Sequence, residues 1–157
     1  MNRSIALAAL SGLAAFSLDY ASKRWIEAAI PLHDTIPLWP GVFDITHTRN
    51  TGAAFGILQG HGSLLILVSV AVVILALLYS RTLLALGPLA QTGLGLVLGG
   101  ALGNLWDRLH RGYVTDFLHI HYWPVFNLAD TFVVVGGALL ILALSRGQPR
   151  AEEGGNL

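Results

Sequence analysis

The sequence predicts an all-α membrane protein: a four-transmembrane-helix bundle with a small extracytoplasmic β-like loop element. Three observations predict it. Charged residues make up only 11% of the 157 residues, against about 25% in ordinary soluble domains. Hydrophobic residues reach 54% and collect into long uninterrupted runs. The polar residues collect too, in the first and third of the three connections between those runs. A chain of this length holds a single domain, taken as residues 1–157.

A bilayer core asks for roughly 20 mostly apolar residues per helix. Four stretches supply them, at about 4–26, 62–79, 88–106 and 129–144. The first begins with Arg3 and an alanine-rich run, like a signal peptide. Its helical spacing continues through Asp19 to Lys23, however, and an i,i+4 pair can bridge on one face. It is therefore expected to be a retained helix. The second contains SLLILVSVAVVILALL, without a charge. The third carries Gly95, Gly99 and Gly103, a small-residue stripe that lets helix backbones approach closely in lipid. The fourth echoes it with Ala129, Val133 and Gly137. The polar tail at 147–157 is expected to be disordered.

Composition excludes several classes of function. Nine basic and nine acidic residues cancel, with no basic block to attract nucleic acid. The absence of cysteine removes disulfides, thiolate catalysis and cysteine-ligated metals. Four spans put both termini on one side with Arg3, Arg81, Arg146 and Arg150. The other side then holds Lys23, Arg24, Arg49, Arg108 and Arg111. Four against five does not decide orientation. The second side also carries the two polar connections, so a site belongs there.

Ionisable residues in or beside a span are costly and point to function. Asp19, Asp107, Asp116 and Asp130 are so placed, near span ends that face one side. Asp130 lies three residues after Asn127, and that spacing also suits a helix cap. Asp116 lies in GYVTDFLHIHYWP, which alternates loosely as a strand does: Phe117, His119 and His121 on one face, Leu118, Ile120 and Tyr122 on the other. Gly112 lets the chain turn back before it. If Asp116 and Asp130 converge, two close carboxylates share one proton. The charged member can then activate water toward a peptide carbonyl while the protonated member hydrogen-bonds the carbonyl oxygen.

Asn104, Asp107 and Arg108 share a face at the end of the third span. An acid there opposes the helix dipole, so Asp107 needs a cation, with Arg108, Arg111 and Lys23 as candidates. Arg108 could instead present its planar fork to a bound peptide backbone. In RNTGAAFGILQGHG, Asn50 could bond peptide groups, and Gly52 and Gly56 allow close backbone approach. Phe55, Ile57 and Leu58 could form an interfacial amphipathic segment, or the stretch could be an ordinary glycine-rich turn. Six histidines show no metal-binding spacing, so no metal and no cofactor are expected. Ser22 and Lys23 are helix neighbours that point in different directions, a poor catalytic pair.

Five blocks, in order along most of the chain, resemble the lipoprotein signal peptidase (signal peptidase II) family. Asp19-Tyr-Ala-Ser-Lys23 is similar to its D-x-x-[ST]-K element, and Asn50-Thr-Gly-Ala-Ala-Phe-Gly56 to N-x-G-A-A-F-G. Gly103-Asn-Leu-Trp-Asp-Arg108 matches G-N-x-x-D-R, Gly112-Tyr-Val-Thr-Asp-Phe117 resembles G-x-V-x-D-F, and Phe126-Asn-Leu-Ala-Asp130 is F-N-x-A-D. Ser22 replaces a frequent threonine and Thr115 a usual valine. The resemblance implies an aspartic endopeptidase with Asp116 and Asp130 as its catalytic pair. Its substrate would be a prolipoprotein carrying diacylglycerol on the lipobox cysteine, cut immediately before that cysteine. Asn50, Asn104, Arg108 and Asn127 would position substrate or support the pair, with Gly52 among the blocks lining the cavity. Asp19, Lys23 and Asp107 would be structural. The resemblance also implies sensitivity to globomycin, both termini in the cytoplasm and a site on the outer face of the bacterial cytoplasmic membrane. Membrane lipid would be a partner, and no obligate protein partner is evident. A proton channel or transporter, and a non-catalytic membrane scaffold, are the competing readings. Four spans without repeat symmetry are few for a transporter.

Overall fold

The chain from Arg3 to Ala29 holds no proline and forms one helix, α1 (Arg3–Ala29). Pro31 then forbids continuation, since the residue before a proline avoids helical geometry. The computed structural model describes residues 3–52 and 62–147. After α1 come two strands, β1 (Thr35–Trp39) and β2 (Phe43–Asn50), then α2 (Gly62–Leu78) and α3 (Ser80–Ala85). The chain continues through α4 (Pro88–Arg111), β3 (Val114–Ile120) and α5 (Leu128–Gly147). The proposed amphipathic segment at Phe55, Ile57 and Leu58 and the tail beyond Gly147 lie outside the described residues.

Each apolar stretch of the sequence lies in a helix. Residues Arg3–Ala29 and Leu128–Arg146 are long and apolar enough to cross a membrane. The α2 helix is apolar but has 17 residues, about 26 Å at 1.5 Å per residue. The connection after it, the one without a polar cluster, holds the six-residue α3. Helix α4 starts with Pro88 in its first turn and stops at Gly112, whose φ of 73° is the left-handed cap geometry. The Gly112 N–H donates to the Arg108 carbonyl at 3.2 Å, and the chain turns back directly into β3.

Helix α4 is the centre of the bundle, packed between α1 and α5. Its glycines make this possible. A Cβ at Gly95 would collide with the Ala8 carbonyl, and one at Gly99 with the Gly12 carbonyl. A Cβ at Gly103 would lie 2.6 Å from Asp19 Oδ2. The predicted stripe therefore faces α1. Another face meets α5, where a Cβ at Gly100 would fall 2.5 Å from the Ala129 carbonyl. On α5, Ala129 and Val133 pack there as expected, but Gly136 replaces Gly137: among the described residues nothing lies within 4 Å of a Cβ at 137. Large apolar side chains such as Leu10, Leu13, Leu67 and Ile141 point outward and exposed. This distribution, small residues between helices and large ones outside, suits an apolar surrounding.

The strands form one antiparallel sheet of order β1-β2-β3. The sequence pointed to β3 alone. Its first four residues, Val114 to Phe117, are all buried, because helices pack on one face and the candidate site on the other. Alternation is correspondingly weak. Between Ile45 and Thr48 the β2–β3 register slips, so that Thr48 pairs with Asp116 and Asn50 with Val114.

The α1–α4 packing has a direct test. Gly99→Ala should destabilise the protein by about 1–3 kcal/mol, the usual range for overpacking, and lower its thermal midpoint in detergent. Gly137→Ala, which meets none of the described residues, should leave the midpoint unchanged.

Candidate active site

The C-terminal ends of α1 and α4 meet the first turn of α5 and the β2–β3 pair. Behind this junction sits Lys23, with only 1% of its side chain exposed. Its ammonium lies 2.7 Å from Asp19 Oδ2 and donates to Asn104 Oδ1 at 2.9 Å. Asp107 Oδ2 is 3.0 Å away, within ion-pair reach but off the line of an ammonium hydrogen bond. Of the three cations considered for Asp107, Lys23 is the near one, and Arg111 stands 3.7 Å from the other oxygen. The remaining oxygen of Asp19 accepts the Ala129 backbone N–H at 2.9 Å. One buried cluster thus ties α1, α4 and α5 together.

Asn104 carries this anchor forward. With its oxygen facing Lys23, its amide nitrogen faces Asp130 and donates to Oδ1 at 2.7 Å. The ammonium on one side and the carboxylate on the other fix which way the amide points. Asp130 and Asn127 form a reciprocal cap at the start of α5. The Asp130 N–H donates to Asn127 Oδ1 at 3.0 Å, and the Asn127 N–H donates to Asp130 Oδ2 at 3.2 Å. The capping reading of Asp130 is therefore correct as geometry, and it leaves the other carboxylate oxygen toward Asn104.

Asn127, fully buried, also reaches the second acid: its side-chain amide donates to Asp116 Oδ1 at 2.6 Å. Asn50 donates to Asp116 Oδ2 at 2.8 Å and accepts the Gly52 N–H at 2.9 Å, a turn that orients the Asn50 amide. Asp116 arrives here because the chain doubles back after β3. Tyr122 takes φ of 68°, and Phe126 exchanges backbone hydrogen bonds with Leu118 at 2.8 and 3.0 Å. Both acids thus contact Asn127, one through its side chain and one through its backbone.

Burial, and after it the charge of Asp130, pushes the Asp116 carboxyl up to about 7, while Asn50 and Asn127 pull the other way. Next to Asp116, the hydroxyl of fully buried Thr115 donates to Glu27, which also pairs with Arg111. A threonine is accommodated there because its hydroxyl finds this acceptor.

A cavity of about 550 Å³ opens on the two acids. Asn50, Gly52, Asn104, Arg108, Asp116, Asn127 and Asp130 all line it. Asp19, Lys23 and Asp107 stay behind it. Among the described residues the Arg108 guanidinium makes one long hydrogen bond, 3.5 Å, to the Asn104 carbonyl, and it lines the cavity. The sequence did not single out the remaining walls. Trp123 to Val125 forms one of them, and Leu65, Val134 and Val135 supply apolar surface. The only signal for these was hydrophobicity, which they share with half the chain.

A profile of the family described as signal peptidase (SPase) II matches residues 12–146. The chain belongs to this family. Among its curated relatives, signal peptidase II resemblance is strong in the lipoprotein signal peptidase of Halothermothrix orenii. That protein is 45% identical over 81% of this chain and 87% of its own length. The lipoprotein signal peptidase of Moorella thermoacetica is 41% identical over 92% of this chain and 95% of its own. A solved bacterial membrane enzyme, obtained by the in meso method, shares 27% identity and superposes with a TM-score of 0.81, covering 96% of this chain and 94% of that one. This signal peptidase II family member is thus a protease-family protein with the fold of a bacterial membrane enzyme.

The buried anchor predicts a stability effect. Lys23→Met should cost about 3–5 kcal/mol, as for other buried ion pairs that lose one partner. Asp107 keeps Arg24 and Arg111 within 3.7 Å, so Asp19 is the acid left uncompensated. Adding Asp19→Asn to Lys23→Met should therefore recover part of the lost thermal midpoint in detergent.

Proposed function

We propose that this chain is an aspartic endopeptidase of the bacterial cytoplasmic membrane, with Asp116 and Asp130 as its catalytic pair. It removes the signal peptide from prolipoproteins bearing diacylglycerol on cysteine, cutting immediately before that cysteine. The observation that carries the proposal is the contact of both acids with Asn127 at the mouth of one cavity. Family membership supports the peptidase assignment, and the curated relatives are lipoprotein signal peptidases.

The chemistry follows from the pair. Asp116, with its carboxyl pushed up to about 7, holds the shared proton. Asp130 is then the carboxylate that takes a proton from water as the water attacks the scissile carbonyl. The Asp116 proton hydrogen-bonds the developing oxyanion and is passed to the leaving amine. The Asn50 and Asn127 amides hold the acid in place through this exchange. Arg108 offers its guanidinium to substrate backbone carbonyls. The apolar wall of Leu65, Val134 and Val135 receives the acyl chains, so the lipid-bearing residue enters from the bilayer. In this reading α1, α2, α4 and α5 all span the membrane, both termini are cytoplasmic and the cavity opens at the outer face. The exposed apolar surface of α2 and the polar crowding at one end of the bundle support that placement.

Asp116→Asn and Asp130→Asn should each reduce cleavage of a diacylated prolipoprotein by about 10²- to 10⁴-fold, with the fold retained. Wild-type rates in either variant would remove that residue from the mechanism. The pH dependence has a definite sign. Asp116 is protonated below about 7 and ionised above it, so kcat/KM should fall as pH rises through neutrality, with loss of a single proton. A profile that stays flat through the neutral and alkaline range would contradict the assigned proton.

A further inference from the structure

At the far end of the β2–β3 pair from Asp116, three metal-ligating side chains meet outside the cavity. Strand register places Asp44 directly opposite His119, and the turn after β3 brings His121 to the same point. His121 Nε2 lies 2.7 Å from Asp44 Oδ2, and His119 Nδ1 lies 3.7 Å from that oxygen. The two imidazoles stand side by side, with centroids 5.2 Å apart and planes 17° from parallel. One ligand atom from each of the three residues falls within 4.8 Å of the others. Asp44 is buried while the two rings are partly open to solvent, so an ion could enter from outside and meet a carboxylate already fixed.

The geometry points to a zinc-class divalent metal site formed by Asp44, His119 and His121. Zinc takes imidazole nitrogen and carboxylate oxygen at about 2.0–2.2 Å in tetrahedral array, which separates ligand atoms by roughly 3.3–3.5 Å. The contacts at 2.7 and 3.7 Å straddle that spacing, so small side-chain rotations suffice. Two neutral imidazoles and one carboxylate suit zinc better than magnesium or calcium, which prefer all-oxygen shells. The fourth position faces solvent and takes water. Sequence spacing offered only the two histidines. The third ligand comes from a strand 75 positions away in the chain from His119, through register alone. The bland alternative is a simple His121–Asp44 hydrogen bond that pins the turn to β2. The His121 N–H already donates to the Val42 carbonyl at 3.0 Å and does that work, and His119 has no part in it. Bound zinc would clamp β2 to β3 beyond the register slip, on the strands that carry Asn50 and Asp116 to the cavity.

The test is zinc binding by the full-length, tag-free protein in detergent, followed by calorimetry and by bound zinc per chain after gel filtration. One zinc per chain is expected, with a raised thermal midpoint and no comparable response to magnesium. His119→Ala and Asp44→Asn should each weaken binding by about 10- to 100-fold. Asp44→Asn keeps the shape and an acceptor for His121, so it stays informative if His119→Ala folds poorly. His110→Ala, distant on α4, should bind as wild type does. Equal zinc affinity in wild type and Asp44→Asn, or no binding by the folded wild-type protein, overturns the site.

Discussion

The buried ammonium of Lys23 is the constraint on which the rest depends. An ion removed from water costs several kcal/mol unless its partners are well placed, so Lys23 can exist only where Asp19, Asp107 and Asn104 converge. That requirement sets the height of α1 against α4. Through Asn104 it sets the height of Asp130, and through the Ala129 N–H on Asp19 it sets the start of α5. The glycine at 103 belongs to the same arrangement, because a side chain there would fill the space of the Asp19 carboxylate. The glycines of α4 already sit against particular carbonyls of α1 and α5, which limits how far the helices can slide. The ion cluster adds a polar constraint to these contacts, and together they give the bundle one register.

The second acid arrives by a different route. Asp116 sits on a strand, and strand pairing alone would leave its distance from α5 undetermined. Two features close the gap: the backbone exchange between Leu118 and Phe126, and the Asn127 amide that spans from the helix start to the carboxylate. Helix and sheet are therefore locked at one asparagine. A half-buried Arg108 and the Asn50 amide complete the polar rim of the cavity.

Much of this was legible in the sequence for identifiable reasons. Asp19 and Lys23 were readable as a pair because helical spacing places them on one face. The stripe at 95, 99 and 103 was readable because small residues at that period have few other uses in lipid. The Asn127–Asp130 cap was readable from spacing too, but spacing could not say that the cap also holds Asp116. Strand β1 was missed because its exposed positions Ile36, Leu38 and Trp39 carry apolar residues, and β2 because its buried positions Asp44, Thr46 and His47 are polar, which blurs the alternation that marks a strand. The choice between Gly136 and Gly137 depends on the crossing of α4 and α5 and on nothing local. The same holds for Asp44 beside His119: register is a property of the folded sheet.

The reciprocal cap at the start of α5 has one more consequence. Glutamate commonly fills the third helical position of such a motif, and as far as helix ending is concerned it would serve there as well as Asp130. A longer chain would, however, carry its oxygens past the point where Asn104 meets them. The side chain one methylene shorter is therefore set by where its charge must stand, and the secondary structure tolerates the choice. At this one position, the demands of architecture and of chemistry can be told apart by the length of a single carbon–carbon bond.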